Sequence, residues 1–108
     1  MAMTIKEKLG SMIPQLRKER ADLVKESGEV KISDVTIAQA IGGMRGVKGL
    51  VCDTSVVEPD QGLIIREQPI MKIKDKWPEE IFWLLITGDF PTPDELKELQ
   101  KELKANGE

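Results

Sequence analysis

The chain has 108 residues, a net charge of −3, 40% hydrophobic residues and 32% charged residues, a balance typical of one soluble globular domain. Its pI near 5.1 excludes bulk attraction to nucleic acid or anionic membranes, and no apolar run approaches the roughly 18 residues of a membrane span. The absence of histidine and the presence of one cysteine exclude serine–histidine and cysteine–histidine catalysis, histidine and thiolate metal sites, and an internal disulfide.

The first predicted helix spans residues 4–27. Thr4 and Glu7 have the spacing of a capping box, in which each side chain satisfies the other residue's free backbone N–H. Apolar residues then follow the helical period, and the charged opposite face indicates contact with solvent. Pro14 should kink or divide this helix, because proline lacks the N–H donor and clashes with the preceding turn. Gly28 is the predicted end.

A β region is predicted over residues 30–67. Val30 and Ile32 alternate with polar residues, which indicates a short strand, and residues 35–41 fit either a strand or a helical turn. A hairpin follows, because the β-branched runs "GLVCDTSVV" and "GLIIRE" flank the turn sequence "EPDQG". Gly62 in that turn can adopt positive φ.

Two further helices are predicted, over residues 78–87 and 92–105. The run "IFWLLI" is apolar at every position, so periodicity cannot distinguish a buried helix from a buried strand. Pro78 in the first turn and Gly88 at the end favour a helix. Thr92 opens the last helix with a second capping box.

The predicted fold class is mostly α with a small antiparallel β-meander or hairpin, in a single segment of residues 1–108. A kinked helix, a hairpin and a helix with a narrow apolar stripe offer too little surface to cover "IFWLLI" on all sides. We therefore expect exposed apolar surface in the isolated chain, and such surface marks an interface.

The stretch "GGMRGVKG", residues 42–49, combines four glycines with two cations. It matches neither the phosphate-binding P-loop nor the dinucleotide fingerprint, because the spacing of its glycines differs from both. Spacing alone favours a structural corner over an anion contact. Arg45 is the stronger candidate anion ligand, since its guanidinium fits phosphate oxygens, and Lys48 is the weaker one.

Other reactive side chains have structural explanations. Cys52 lies in an apolar setting that predicts a small buried thiol on a strand. Two carboxylate pairs fit a turn and a helix N-terminus, respectively, better than catalysis: Glu58 with Asp60, and Glu79 with Glu80. The first ten residues are too charged for a secretory leader and include the acid Glu7, so a cytoplasmic location is expected.

Three stretches in order, "SMIPQLRKER", "GGMRGVKGLVCDTSVVEPDQG" and "FWLLITGDFPT", resemble the beginning of citrate synthase of the kind found in mitochondria and some bacteria. The resemblance implies the N-terminal part of a large helical domain in a homodimer that condenses acetyl-CoA with oxaloacetate. In that family the catalytic residues are two histidines and an aspartate, which lie beyond the length of this chain. The chain would thus be part of an acyltransferase, without catalytic residues of its own.

The arginine of the family's "GGMRG" contributes to binding the phosphates of coenzyme A, which by resemblance assigns this contact to Arg45. The resemblance implies acetyl-CoA as a substrate, no resident cofactor and no metal. It implies a second copy or the remainder of citrate synthase as partner, and an inactive chain when alone. The alternative is a stand-alone interaction module, or a regulatory module that binds coenzyme A, derived from the same family.

One segment departs from the family pattern. Where the family has "RFRGYSI", this chain has "LIIREQPI", so that Arg66 is kept while Glu67 replaces a glycine and the preceding arginine is lost. Glu67 is expected to weaken any anion contact at Arg66 or to pair with it. The segment that follows is also shorter, so the short helix expected there should be abbreviated.

Overall fold

The computed structural model describes residues 2–107, and within them it contains five helices and three strands. In chain order they are α1 (Ile5–Ser27), α2 (Ile37–Ile41), β1 (Ser55–Glu58), β2 (Gly62–Ile65), β3 (Gln68–Pro69), α3 (Ile70–Ile73), α4 (Pro78–Thr87) and α5 (Pro93–Asn106). The prediction of a mostly α fold with a small antiparallel sheet is confirmed. No helix among the described residues is both long and apolar enough to cross a bilayer.

Contacts within the chain define two compact units. One unit joins the start of the chain up to Leu16 with the part from Cys52 onward, and the other comprises Arg17–Val51. The first unit contains the sheet, α3, α4 and α5, whereas the second contains α2 and the glycine-rich stretch.

Helix α1 begins with the predicted capping box. The N–H of Thr4 donates to Oε2 of Glu7 at 2.9 Å, and the N–H of Glu7 donates to Oγ1 of Thr4 at 3.2 Å. The helix runs without interruption through Pro14, so the possible division there is wrong, since the turns on both sides keep their own hydrogen bonds. A kink at Pro14 stays a prediction. The helix ends at Gly28 as predicted, with its N–H bonded to the carbonyl of Val24 at 2.9 Å.

The strand predicted around Val30 and Ile32 is wrong. Both residues lie in irregular chain, and the sheet formed by the described residues comprises β1, β2 and β3, none of which pairs with them. The ambiguous run after them forms α2. A capping box stabilises its start, since the N–H of Gln39 donates to Oγ1 of Thr36 at 3.1 Å and the N–H of Thr36 donates to Oε1 of Gln39 at 3.0 Å.

The three strands form an antiparallel meander in the order β1-β2-β3. The predicted hairpin between β1 and β2 is confirmed, with Glu58 opposite Gly62 at its closed end. Gly62 has φ of 75°, which a glycine adopts without steric cost. Strand β3 was not predicted from the sequence. It is only two residues long, and a proline occupies one of them.

Helices α4 and α5 form a helical hairpin around the small core. Both predicted helices are confirmed to within one residue, and Gly88, with φ of 84°, ends α4. The most buried side chains of the described chain are Ile73, Trp83, Leu84 and Leu99, with Thr87 as the one buried polar residue. The short helix α3, of four residues, supplies Ile73 to this core.

Large apolar side chains remain exposed, as the sequence predicts. Ile41 is 83% exposed and Leu50 is 84% exposed, and no described residue of the Arg17–Val51 unit is buried. The chain exposes 9120 Å², whereas a folded monomer of 12.1 kDa exposes about 6,000 Å². A total exposed surface of this size that includes many large apolar side chains is typical of a polypeptide that packs against further protein.

Candidate functional site

The glycine-rich stretch forms a corner of tightly bonded turns directly after α2. The N–H of Gly42 bonds to the carbonyl of Ala38 at 2.8 Å, and the N–H of Met44 bonds to the carbonyl of Gln39 at 2.7 Å. Gly43 and Met44 have positive φ values of 81° and 63°. The stretch therefore forms a structural corner, which is the interpretation that the spacing of its glycines favours.

Arg45 lies at the second position of the next turn. The N–H of Val47 donates to the carbonyl of Met44 at 3.0 Å, and Gly46 has φ of 78° while Arg45 does not have positive φ. This pattern fits a type II turn, which requires positive φ at its third position. A Cβ on Gly46 would meet no atom within 4 Å. The preference for glycine at this position therefore comes from its positive φ and not from lack of space for a side chain.

The guanidinium of Arg45 is exposed and makes no hydrogen bond or ion pair with another described residue. It is therefore free to bind an anion. Lys48 lies close by in sequence but lines a shallow apolar depression with Ile32, Val47, Gly49 and Leu50, and Arg45 is not part of that lining.

Arg66 has a structural role. Its Nε and Nη2 both donate to the carbonyl of Leu85, at 3.0 and 2.9 Å, and its Nη1 lies 3.5 Å from Oδ2 of Asp53. The last carbonyls of an α-helix lack partners within the helix, and a cation near them is favourable. Arg66 thus ties the sheet to the C-terminal turn of α4. The predicted pairing of Arg66 with Glu67 is absent from the described ion pairs, and Asp53 takes that place.

Arg66 and Glu67 form the two-residue connection between β2 and β3. Their φ values are 45° and 66°, and Ile65 lies opposite Gln68 across the turn. Positive φ at both central residues defines a type I′ turn, which normally has asparagine, aspartate or glycine at these positions. The glycine that the family pattern has at position 67 fits this geometry, whereas Glu67 occupies it under strain.

We expect Glu67→Gly to stabilise the chain by about 0.5–1 kcal/mol, because glycine removes the steric cost of positive φ and loses part of that gain to chain entropy. Urea denaturation followed by far-UV circular dichroism measures the shift in midpoint. Glu67→Ala is the matched control, since it removes the carboxylate but keeps the Cβ. If both variants raise the free energy of unfolding equally, the gain comes from loss of the carboxylate charge, and the proposed backbone strain at Glu67 is wrong.

Cys52 differs from its predicted setting. It is exposed in irregular chain before β1, because Ser55 is the first residue to pair in the sheet. A hydrogen bond with the hydroxyl of Thr54, 3.4 Å from Sγ, lowers the pKa of the Cys52 thiol. Among the described residues no group of three or more Cys, Asp or Glu side chains could hold a metal ion.

The carboxylate pairs lie in the predicted turn and helix start. Glu58 ends β1 at the hairpin turn, and Asp60 lies within that turn. In the first turn of α4, Oε2 of Glu80 accepts from the N–H of Trp77 at 2.9 Å, which is the structural role expected there. Oε1 of Glu80 also lies 3.9 Å from Nζ of Lys76, an ion pair one helical turn apart in sequence.

The family model described as "Citrate synthase, C-terminal domain" matches residues 43–108, a region that begins in the glycine-rich corner and includes Arg45. The chain belongs to the citrate synthase family. Its mitochondrial citrate synthase relative from Saccharomyces cerevisiae is 38% identical over 97% of this chain. The peroxisomal citrate synthase of the same yeast is 36% identical over 97%, and the mitochondrial 2-methylcitrate synthase of Yarrowia lipolytica is 36% identical over 96%.

The chain spans about a quarter of the length of these citrate synthase relatives, 24% of the mitochondrial yeast protein and 25% of the peroxisomal one. The alignment with the mitochondrial protein has 115 positions, more than the 108 residues of this chain, so this relative has residues that the chain lacks. The segment after Glu67 contains α3, of four residues, where an abbreviated short helix is predicted.

The cytoplasmic location predicted from the sequence is contradicted by these citrate synthase relatives. They are named as mitochondrial or peroxisomal proteins and point to an organelle. The prediction rested on the charge of the first ten residues. That charge argues against a secretory leader within those ten residues and gives no other information on location.

Proposed function

We propose that this chain is the N-terminal part of a citrate synthase, and that it acts only when combined with the remainder of the enzyme. The observation that carries the proposal is similarity to citrate synthases over nearly the whole chain, together with coverage of only a quarter of their length. The complete enzyme would condense acetyl-CoA, or a related acyl-CoA, with oxaloacetate. The acyl group is left open because the relatives include both citrate and 2-methylcitrate synthases.

The side chains of this piece support a binding and packing role. The sequence contains no histidine, and the exposed Arg45 is the stronger candidate ligand for the phosphates of coenzyme A. The apolar surface of the Arg17–Val51 unit supports a second role, because further protein would cover it in the complete enzyme. The role proposed for the piece is therefore to supply interface and one phosphate contact.

Two preparations test this function. The chain alone should form no citrate from acetyl-CoA and oxaloacetate, measured by release of the coenzyme A thiol. A chimera, in which this chain replaces the aligned segment of the mitochondrial citrate synthase of Saccharomyces cerevisiae, should be active. Turnover that purifies with the chain alone would refute the proposal, and so would a folded chimera without turnover, which would favour a separate regulatory module.

A further inference from the structure

Helix α5 ends at the one asparagine of the sequence. Asn106 is the last residue of the helix, and Gly107 follows it. Both residues are exposed. An asparagine side chain is attacked by the backbone most readily when glycine follows it, because glycine has no side chain to hinder the approach. The end of α5 is therefore a candidate site of spontaneous chemical modification.

The attacking atom at this site is the backbone nitrogen of Gly107. Gly42 and Gly88, the corresponding glycines of α2 and α4, each donate their N–H at 2.8 Å to the carbonyl four residues before them. No backbone hydrogen bond from the N–H of Gly107 occurs among the described residues. The nitrogen of Gly107 thus lacks the bond that holds the other two glycines against their helices.

The side chain of Asn106 is held only by its own helical turn. Its Nδ2 donates to the carbonyl of Glu102 at 2.9 Å, and this bond opposes attack on the amide carbon while the turn is formed. Residues 103–107 are all exposed, so burial does not keep the turn closed. The last turn of a helix opens at little cost in free energy, because its carbonyls lack partners further along the helix. Opening therefore releases the amide of Asn106 for reaction.

We propose that Asn106 is a deamidation site, at which the chain acquires a negative charge with time and α5 loses stability. The backbone nitrogen of Gly107 bonds to Cγ of Asn106, the bond from Cγ to Nδ2 breaks, and ammonia leaves with the proton of the backbone amide. Water then opens the resulting succinimide ring at either carbonyl, which gives aspartate or isoaspartate. The proposal concerns the chemistry of the chain itself and does not depend on the enzymatic role proposed above.

The product weakens the end of α5 for two electrostatic reasons. A carboxylate replaces a neutral amide on a chain whose net charge is already −3. The new charge lies four residues after Glu102, a spacing that brings like charges together on a helix. It also lies at the C-terminus of the helix, where negative charge is unfavourable. Deamidation therefore promotes fraying of the turn that carries Leu103.

Timed incubation of the wild-type chain at mildly alkaline pH, followed by peptide mapping with mass spectrometry, tests the proposal. The peptide that contains Asn106 and Gly107 should show the mass change of deamidation. The folded chain should react within about tenfold of the rate in urea, because a frayed turn opens at little cost. Asn106→Gln should abolish the change in this peptide, and Gly107→Ala should slow it at least about tenfold, since a side chain hinders the attack.

Gly49→Ala is the matched control for Gly107→Ala. A Cβ at Gly49 would meet no atom within 4 Å, so this variant should deamidate at the wild-type rate. Asn106→Asp reproduces one product and should lower the urea midpoint followed by far-UV circular dichroism, whereas Asn106→Gln should leave that midpoint nearly unchanged. Protection of the folded chain beyond about tenfold, equal slowing by Gly49→Ala, or a midpoint unaffected by Asn106→Asp would each overturn the proposal.

Discussion

Replacement of Trp83 by alanine should destabilise the chain by about 3–5 kcal/mol, the range for removal of a large aromatic side chain from a core. Trp83 is 1% exposed and belongs to a core of only four apolar side chains among the described residues, so its loss removes a large share of that core. Because native proteins are stable by only about 5–15 kcal/mol, the urea midpoint of the variant should fall well below that of the wild-type chain. Circular dichroism at 222 nm during urea titration measures the loss.

Trp77→Ala is the matched control for this prediction. Trp77 is 63% exposed, and its backbone N–H, which Glu80 accepts, remains in the variant. The control should shift the free energy of unfolding by no more than about 0.5 kcal/mol, as is usual for surface substitutions. Equal losses in the two variants would mean that the α4–α5 core does not hold the chain together.

Arg45→Ala should weaken binding of coenzyme A by about 10–100-fold in the active chimera. A hydrogen bond to a charged group contributes about 1.5–3 kcal/mol, and 1.4 kcal/mol corresponds to a factor of ten. The guanidinium is exposed and has no other described partner, so its removal should leave the fold intact. The measurement is the KM for acetyl-CoA, which should rise while kcat changes little, because a phosphate distant from the reacting carbon is bound equally in both states.

Dephospho-coenzyme A and Lys48→Ala complete the experiment on Arg45. If Arg45 binds the phosphate that dephospho-coenzyme A lacks, the preference of the chimera for coenzyme A should shrink in Arg45→Ala. Lys48 lines an apolar depression that does not include Arg45, so the loss of Lys48 should weaken coenzyme A binding less than the loss of Arg45. Unchanged affinity in Arg45→Ala would leave Arg45 as a structural residue of its turn.

The sequence predicts best where local hydrogen bonds decide the structure. Thr4 with Glu7 and Thr92 with Glu95 form the capping boxes expected from their spacing. Gly62 and Gly88 have positive φ in the turn and the helix end where such residues are expected. These features depend on neighbours three or four residues away, which the sequence displays directly.

Prediction from the sequence fails where the structure depends on residues that are distant along the chain. Val30 and Ile32 alternate as a strand would, yet a strand exists only where another pairs with it. The role of Arg66 depends on Leu85, nineteen residues further along the chain. Arg45 was predicted as a phosphate ligand from family resemblance, and its exposed guanidinium is compatible with that role, which remains a proposal.

The bond from Arg66 to the carbonyl of Leu85 has a consequence for how the chain opens. Helix ends usually fray independently of neighbouring elements, because little holds their last carbonyls. Here one guanidinium bonds the end of α4 to a turn of the sheet, so opening of the helix end costs these two hydrogen bonds while the turn remains in place. The meander and the C-terminal turn of α4 should behave as one cooperative unit, with amide protons in both showing a common free energy of opening in hydrogen exchange.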